Sequence, residues 1–111
     1  MRQQLDRLVR TNQPENVAAC GYQQLTVTGG TAQSLTVPSG ARYAEVSVES
    51  ATLTGFIMRY LCLGDTTPPT TTAGMPLAYG TVFDLGTSDA VNRFRVIAVS
   101  GSHTLNIQYY K

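Results

Sequence analysis

From Gln24 onward the chain alternates between apolar and polar residues. In QLTVT, Leu25 and Val27 alternate with Gln24, Thr26 and Thr28, and after Gly29 and Gly30 the run SLTV repeats the pattern with Leu35 and Val37. A period of two sends successive side chains to opposite faces of a strand, and two such runs around a glycine pair predict a hairpin. Pro38, Ser39 and Gly40 then close the strand. YAEVSVE sets Ala44, Val46 and Val48 on one face, assigned to the core, and Tyr43, Glu45, Ser47 and Glu49 on the other. A shorter pattern from Thr52 to Gly55 leads into Phe56 to Leu63, where apolar residues take both parities apart from Arg59. That predicts burial on both faces.

The stretch Gly64 to Leu77, GDTTPPTTTAGMPL, interrupts this pattern. Pro68, Pro69 and Pro76 lack a backbone N–H and push the residues before them away from helix, so neither helix nor central strand runs through it. Threonine hydroxyls that bond nearby backbone, with Gly64 and Gly74, complete an ordered, extended surface connection. A connection of this length in a small domain is functional or crosses between sheets. Beyond it come TVFDL, a loop from Thr87 to Asn92, and FRVIAV, with Phe94, Val96 and Ala98 facing one way and Arg95, Ile97 and Val99 the other. Ser100, Gly101 and Ser102 form a tight turn into the last strand, where Leu105, Ile107 and Tyr109 alternate with Thr104, Asn106, Gln108 and Tyr110. Roughly seven or eight short strands, with turn signals every 8–12 residues and no interior helix, predict an all-β chain: a two-sheet antiparallel β-sandwich.

Met1 to Gly21 differ, being rich in Gln, Asn and Arg. Leu5, Leu8 and Val9 fall on one side of a helical turn, with Arg2, Arg7 and Arg10 projecting elsewhere. So short a helix is marginal alone, and Pro14 ends it. The segment is assigned as an N-terminal arm that takes its shape on a partner, ahead of a β-sandwich domain over 22–111. A disordered tail, or an arm folded on its own domain, are the other readings.

At 111 residues the chain is one domain that folds without metal or disulfide. Only 14 % of residues are charged, against an average of about 25 %, which suits a part packed against other parts. A net charge of +1 provides no field to recruit nucleic acid or an acidic membrane. Cys20 and Cys62 read as small buried or half-buried side chains, since no secretory leader is visible and a reducing cytosol is expected. No apolar run approaches a membrane span.

Candidate chemistry is sparse. His103, the only histidine, is expected as an exposed residue at a hairpin mouth beside Ser100 and Ser102, with no oxyanion turn to make a triad. There are too few Cys and His for zinc, and Asp65, Asp84 and Asp89 lack calcium-loop spacing. Glu45 and Glu49 on one strand stand about 13 Å apart, beyond the ~10 Å that glycoside hydrolysis tolerates. Neither a metal nor another cofactor is expected. Arg42, Arg59, Arg93 and Arg95, spread among apolar residues, suit partner contacts or ion pairs, and the six tyrosines divide between core and interface.

The series SLTVPSGARYAEVSVE, then a strand carrying Arg59 and Tyr60, then Asp65 with Pro69-Thr70, then Gly74-Met75-Pro76-Leu77, then FRVIAVSGSHTLNIQYY resembles small β-sandwich virion proteins of tailed bacteriophages. With the polar arm and the overall length, it is most similar to the capsid-decorating staple proteins of epsilon15-like phages. The resemblance implies a jelly-roll-like sandwich on the outer capsid surface of the virion, associated in pairs (a homodimer) and clamping neighbouring copies of the major capsid protein. Contacts are then expected from Arg2, Leu5, Arg7, Leu8, Val9 and Arg10 of the arm and from Thr66, Thr67, Pro68, Pro69 and Thr70 of the long loop. A receptor- or glycan-binding module of a tail fibre or spike is the competing expectation.

Overall fold

The computed structural model describes residues 18–50, 55–64 and 67–111. Eight strands follow one another: β1 (Ala19–Thr28), β2 (Gln33–Ser34), β3 (Tyr43–Glu49), β4 (Phe56–Leu61), β5 (Met75–Ala78), β6 (Val82–Leu85), β7 (Arg95–Ala98) and β8 (Ser102–Tyr110). They form two four-stranded sheets, ordered β1-β8-β3-β6 and β2-β7-β4-β5, with every neighbouring pair antiparallel. Two interleaved sheets in this order are the jelly-roll form of the sandwich. The predicted all-β, two-sheet architecture is what the chain adopts.

The alternation read from the sequence gives the core its inner faces. Ala44, Val46 and Val48 of β3, Leu105, Ile107 and Tyr109 of β8, and Val96 and Ala98 of β7 are all buried. Phe94, Met58, Leu77 and Leu85 join them in one cluster. Tyr60 of β4 stacks on Phe83 of β6 at a centroid distance of 5.2 Å and on Phe94 at 5.4 Å, tying the two sheets together at one margin of the sandwich. Such ring pairs add about 0.5–1.5 kcal/mol each beyond the area they bury.

Topology departs from expectation where neighbours had to be chosen. β1 and β2 do not form a hairpin: β1 pairs with β8, while β2 pairs with β7 in the other sheet. Gly29 and Gly30 carry the chain between layers, with the Gly29 amide donating to the Gly101 carbonyl at 3.1 Å. The Ser100 to Ser102 turn likewise links β7 in one sheet to β8 in the other. Only β4 and β5 are both consecutive and paired, so the long proline and threonine stretch connects neighbours within one sheet and is not a crossing.

Three smaller corrections have local causes. The loop from Thr87 holds a helical turn, α1 (Ser88–Arg93), capped by the Thr87 side chain, which accepts from the Ala90 amide at 3.0 Å; Val91 turns inward. Burial on both faces of β4 holds for Ile57 and Met58, but Phe56 is 62 % exposed beside a bulge between Phe56 and Met58. β1 starts at Ala19, and Ala18 exchanges two backbone hydrogen bonds of 3.0 Å with Lys111, so the last residues expected as arm belong to the sheet. The Thr52 to Gly55 pattern falls mostly on 51–54, outside the described residues.

Candidate interaction surface

β4 presents Arg59 on the outer face of its sheet, in register with Ile97 of β7 on one side and Pro76 of β5 on the other. Its guanidinium is turned onto the loop that follows the strand. Nε donates to the Thr71 carbonyl at 3.3 Å and Nη1 to the Gly74 carbonyl at 3.0 Å. Around those acceptors the loop closes on itself: the Thr70 amide donates to the Ala73 carbonyl at 2.8 Å, and the Ala73 amide returns to the Thr70 carbonyl at 3.3 Å. The Thr72 amide adds a bond to Thr70 Oγ1 at 3.3 Å. Threonine thus supplies the local hydroxyl bond the sequence suggested, and Arg59 fixes the whole turn to the sheet.

Of the residues assigned to this surface, Thr67, Pro68 and Thr70 are exposed. Pro69 is buried, facing the Gly74 backbone, so it holds the loop's shape from within. Thr66 and the arm residues Arg2, Leu5, Arg7, Leu8, Val9 and Arg10 lie outside the described residues, as does Asp65. Arg59 is the residue that reading by composition undervalued. Its signal was present as the lone charge in FIMRYL, a strand otherwise made of apolar residues and one tyrosine.

The outer face of the β1-β8-β3-β6 sheet is a second, polar surface. Tyr22 Oη donates to Asn106 Oδ1 at 2.6 Å, Gln24 Nε2 donates to the same oxygen at 3.2 Å, and Asn106 Nδ2 donates to Glu49 Oε1 at 2.8 Å. Three strands are thereby cross-linked by side chains over the ladder, with the Tyr22 ring 64 % exposed. Tyr43 shares this face yet is buried against Tyr110, at a centroid distance of 5.2 Å, contrary to its expected outward position. Burial, followed by the hydrogen bond and charge of Asp84, pushes its phenol well above the usual tyrosine range. The tyrosines therefore sort: Tyr43 and Tyr109 are interior, Tyr60 and Tyr110 half-buried, Tyr22 and Tyr79 exposed.

His103 is buried at 8 % exposure, where an exposed hairpin residue was expected, because the turn before it crosses between sheets. Nδ1 lies 2.6 Å from Ser50 Oγ and Nε2 lies 2.8 Å from the Ser100 carbonyl. The neutral tautomer protonated at Nε2 satisfies both, donating to Ser100 and accepting from Ser50. Both ring nitrogens are thus spent on holding two inter-sheet connections together. Cys20 and Cys62 are free and half-buried, and burial pushes the Cys62 thiol up. Among the described residues no group of three His, Cys, Asp or Glu side chains is placed to hold a metal ion, and no helix is long and apolar enough to cross a membrane. No protein-family model, no curated protein and no solved structure matches the chain.

Proposed function

We propose that this chain is a structural protein of a bacteriophage virion, bound to the outside of the capsid, where it clamps adjacent major capsid subunits and stabilises the shell. The observation that carries this reading is the part of the β4–β5 connection over 67–74. Antiparallel neighbours such as β4 and β5 can be joined by a two-residue turn, yet here the connection is long, rich in proline and threonine, and fastened by Arg59. A turn already closed over 67–74 and held on a rigid sandwich loses little entropy on docking. That suits a contact repeated at every lattice site. A ligand that binds only the assembled lattice stabilises it through mass action. The low charge and the resemblance to staple proteins point the same way, and the resemblance is the source of the proposed pairing of copies.

In this reading Thr67, Pro68 and Thr70 meet the capsid, while Leu5, Leu8 and Val9 enter a groove and Arg2, Arg7 and Arg10 meet acidic capsid groups. Neither nucleic acid nor membrane is a partner. Deleting Met1 to Arg10 is expected to weaken binding to purified capsids and to leave the far-UV spectrum of the isolated protein largely unchanged. Unaltered occupancy counts against the arm.

A glycan- or receptor-binding role is the second reading, and the exposed Tyr22 ring beside Gln24, Asn106 and Glu49 favours it. An aromatic plate next to amide and carboxylate groups is suited to sugar hydroxyls. Binding to host polysaccharide without binding to capsids selects this alternative.

A further inference from the structure

The four sheet edges are unequal. β2 offers two residues, β5 four including Pro76, and β6 four including Asp84. β1 is ten residues long and contains neither proline nor a charged side chain. Shortness, proline and charge are what keep a sheet edge from pairing with another chain. β1 has none of them along its length, and its one irregularity is the bulge between Ala19 and Gly21 at its start.

The ladder fixes which groups face outward. The Gly29 amide bonds to Gly101, and the register continues through Val27 with His103, Leu25 with Leu105 and Gln23 with Ile107. Because antiparallel hydrogen-bonded pairs alternate, these residues turn their amides toward β8. Tyr22, Gln24 and Thr26 turn theirs to the free side, where no strand among the described residues pairs with them. The same open side leaves the inward-facing Leu25 only half-buried.

We propose that β1 is the seam along which two copies of this chain pair edge to edge. The strand is its own complement. A two-fold axis through Gln24, perpendicular to the sheet, sets Gln24 opposite Gln24 and Tyr22 opposite Thr26, keeps the polar face continuous, and brings the half-exposed Leu25 onto Gln23 of the other copy. No like charges meet. The same operation at β6 sets Asp84 against Asp84, and at β5 it meets Pro76, which lacks a donor. The two β1-β8-β3-β6 sheets become one continuous sheet, with the loops over 67–74 carried on the two outer halves. The seam rests on the proposed pairing but is tested with no capsid present, so its failure and that of capsid binding are separate results.

In the full chain with Cys20 and Cys62 replaced by Ser, Gln24→Cys is expected to form a disulfide-linked species of twice the 12.0 kDa chain mass under mild oxidation, while Val82→Cys at the opposite edge is not. The unsubstituted chain should sediment as a dimer. Gln24→Pro removes an outward amide and no backbone bond to β8, giving up only the 3.2 Å side-chain bond to Asn106, so it should sediment at the chain mass with a cooperative thermal transition retained. A monomeric unsubstituted chain overturns the proposal, and so does a dimer that shows no cross-link through Gln24→Cys.

Discussion

Arg59 and Gly74 approach so closely that neither can be changed independently of the loop between them. The guanidinium donates to the Gly74 carbonyl at 3.0 Å, and a Cβ on Gly74 would stand 3.1 Å from the Cβ of Arg59, 3.0 Å from that of Pro69 and 3.2 Å from the Tyr60 carbonyl oxygen. Gly74 also has φ of 133°, which residues with a side chain rarely adopt. The place where the loop rejoins the sheet is accordingly the tightest point on this surface.

Gly74→Ala is therefore expected to cost about 1–3 kcal/mol from backbone strain alone, with crowding added. Gly80→Ala is the control, since Gly80 also has a positive φ of 82° but nothing within 4 Å of its Cβ position. Urea denaturation should show the larger loss for Gly74→Ala. Equal losses would mean that contact with Arg59, Pro69 and Tyr60 does not matter.

Arg59→Met removes both bonds to the loop while keeping a long apolar stem. Hydrogen bonds from charged donors are worth about 1.5–3 kcal/mol each when the acceptor is left unpaired, and partial exposure reduces that here. The expected result is a stability loss of about 2 kcal/mol, with new protease cleavage confined to 67–74. Arg59→Lys should rescue only in part, because an ammonium cannot reproduce the fork that spans Thr71 and Gly74. Unchanged protease resistance in Arg59→Met would contradict the anchoring role.

His103→Leu leaves the Ser100 carbonyl without its partner and withdraws the acceptor from Ser50 Oγ, at a site with 8 % exposure. Each such hydrogen bond contributes about 0.5–1.5 kcal/mol. A Tm drop of several degrees is expected, whereas Ser102, exposed next to it, should tolerate Ala. A stable His103→Leu variant would show that the two connections hold without the imidazole.

How these elements were legible depended on the distance over which their cause acts. YAEVSVE and HTLNIQYY announced their buried faces because alternation is local and the core selects it directly. Partner choice was not local: Gly29-Gly30 signals a turn equally well whether the chain returns in the same sheet or crosses to the other layer. That ambiguity also misplaced His103. Tyr43 broke its face pattern because Tyr110 and Asp84, distant in sequence, cover it. α1 was missed because a six-residue helix with Val91 as its one buried residue has no periodicity to detect, although Thr87 before Ser-Asp is a capping signal. For the loop, its order and surface position were readable from proline and threonine, whereas Arg59 as its anchor required the fold.

Alkaline pH offers a check on the interior. Burial pushes Tyr109 up to about 12 from an ordinary value of 10.0, and its hydroxyl donates to Gln23 Oε1 at 2.6 Å, an oxygen that also accepts from the Thr36 amide at 3.0 Å. Between pH 10 and 12 the unfolded chain releases a proton that the folded chain keeps, so stability present below pH 10 is lost progressively as pH rises. Tyr43 shifts in the same direction and adds to the slope. Thermal melts across this range should fall more steeply for the unsubstituted chain than for Tyr109→Phe. Equal slopes would mean that Tyr109 ionises freely in the folded protein.

The most direct measurement of the proposed role is a cryo-microscopy reconstruction of the phage particle that carries this chain. The expected result is jelly-roll density on the outer capsid surface, bridging neighbouring major capsid subunits, with the loop over 67–74 against the shell. Density confined to a tail fibre or spike, or particles that lack the chain, would contradict it.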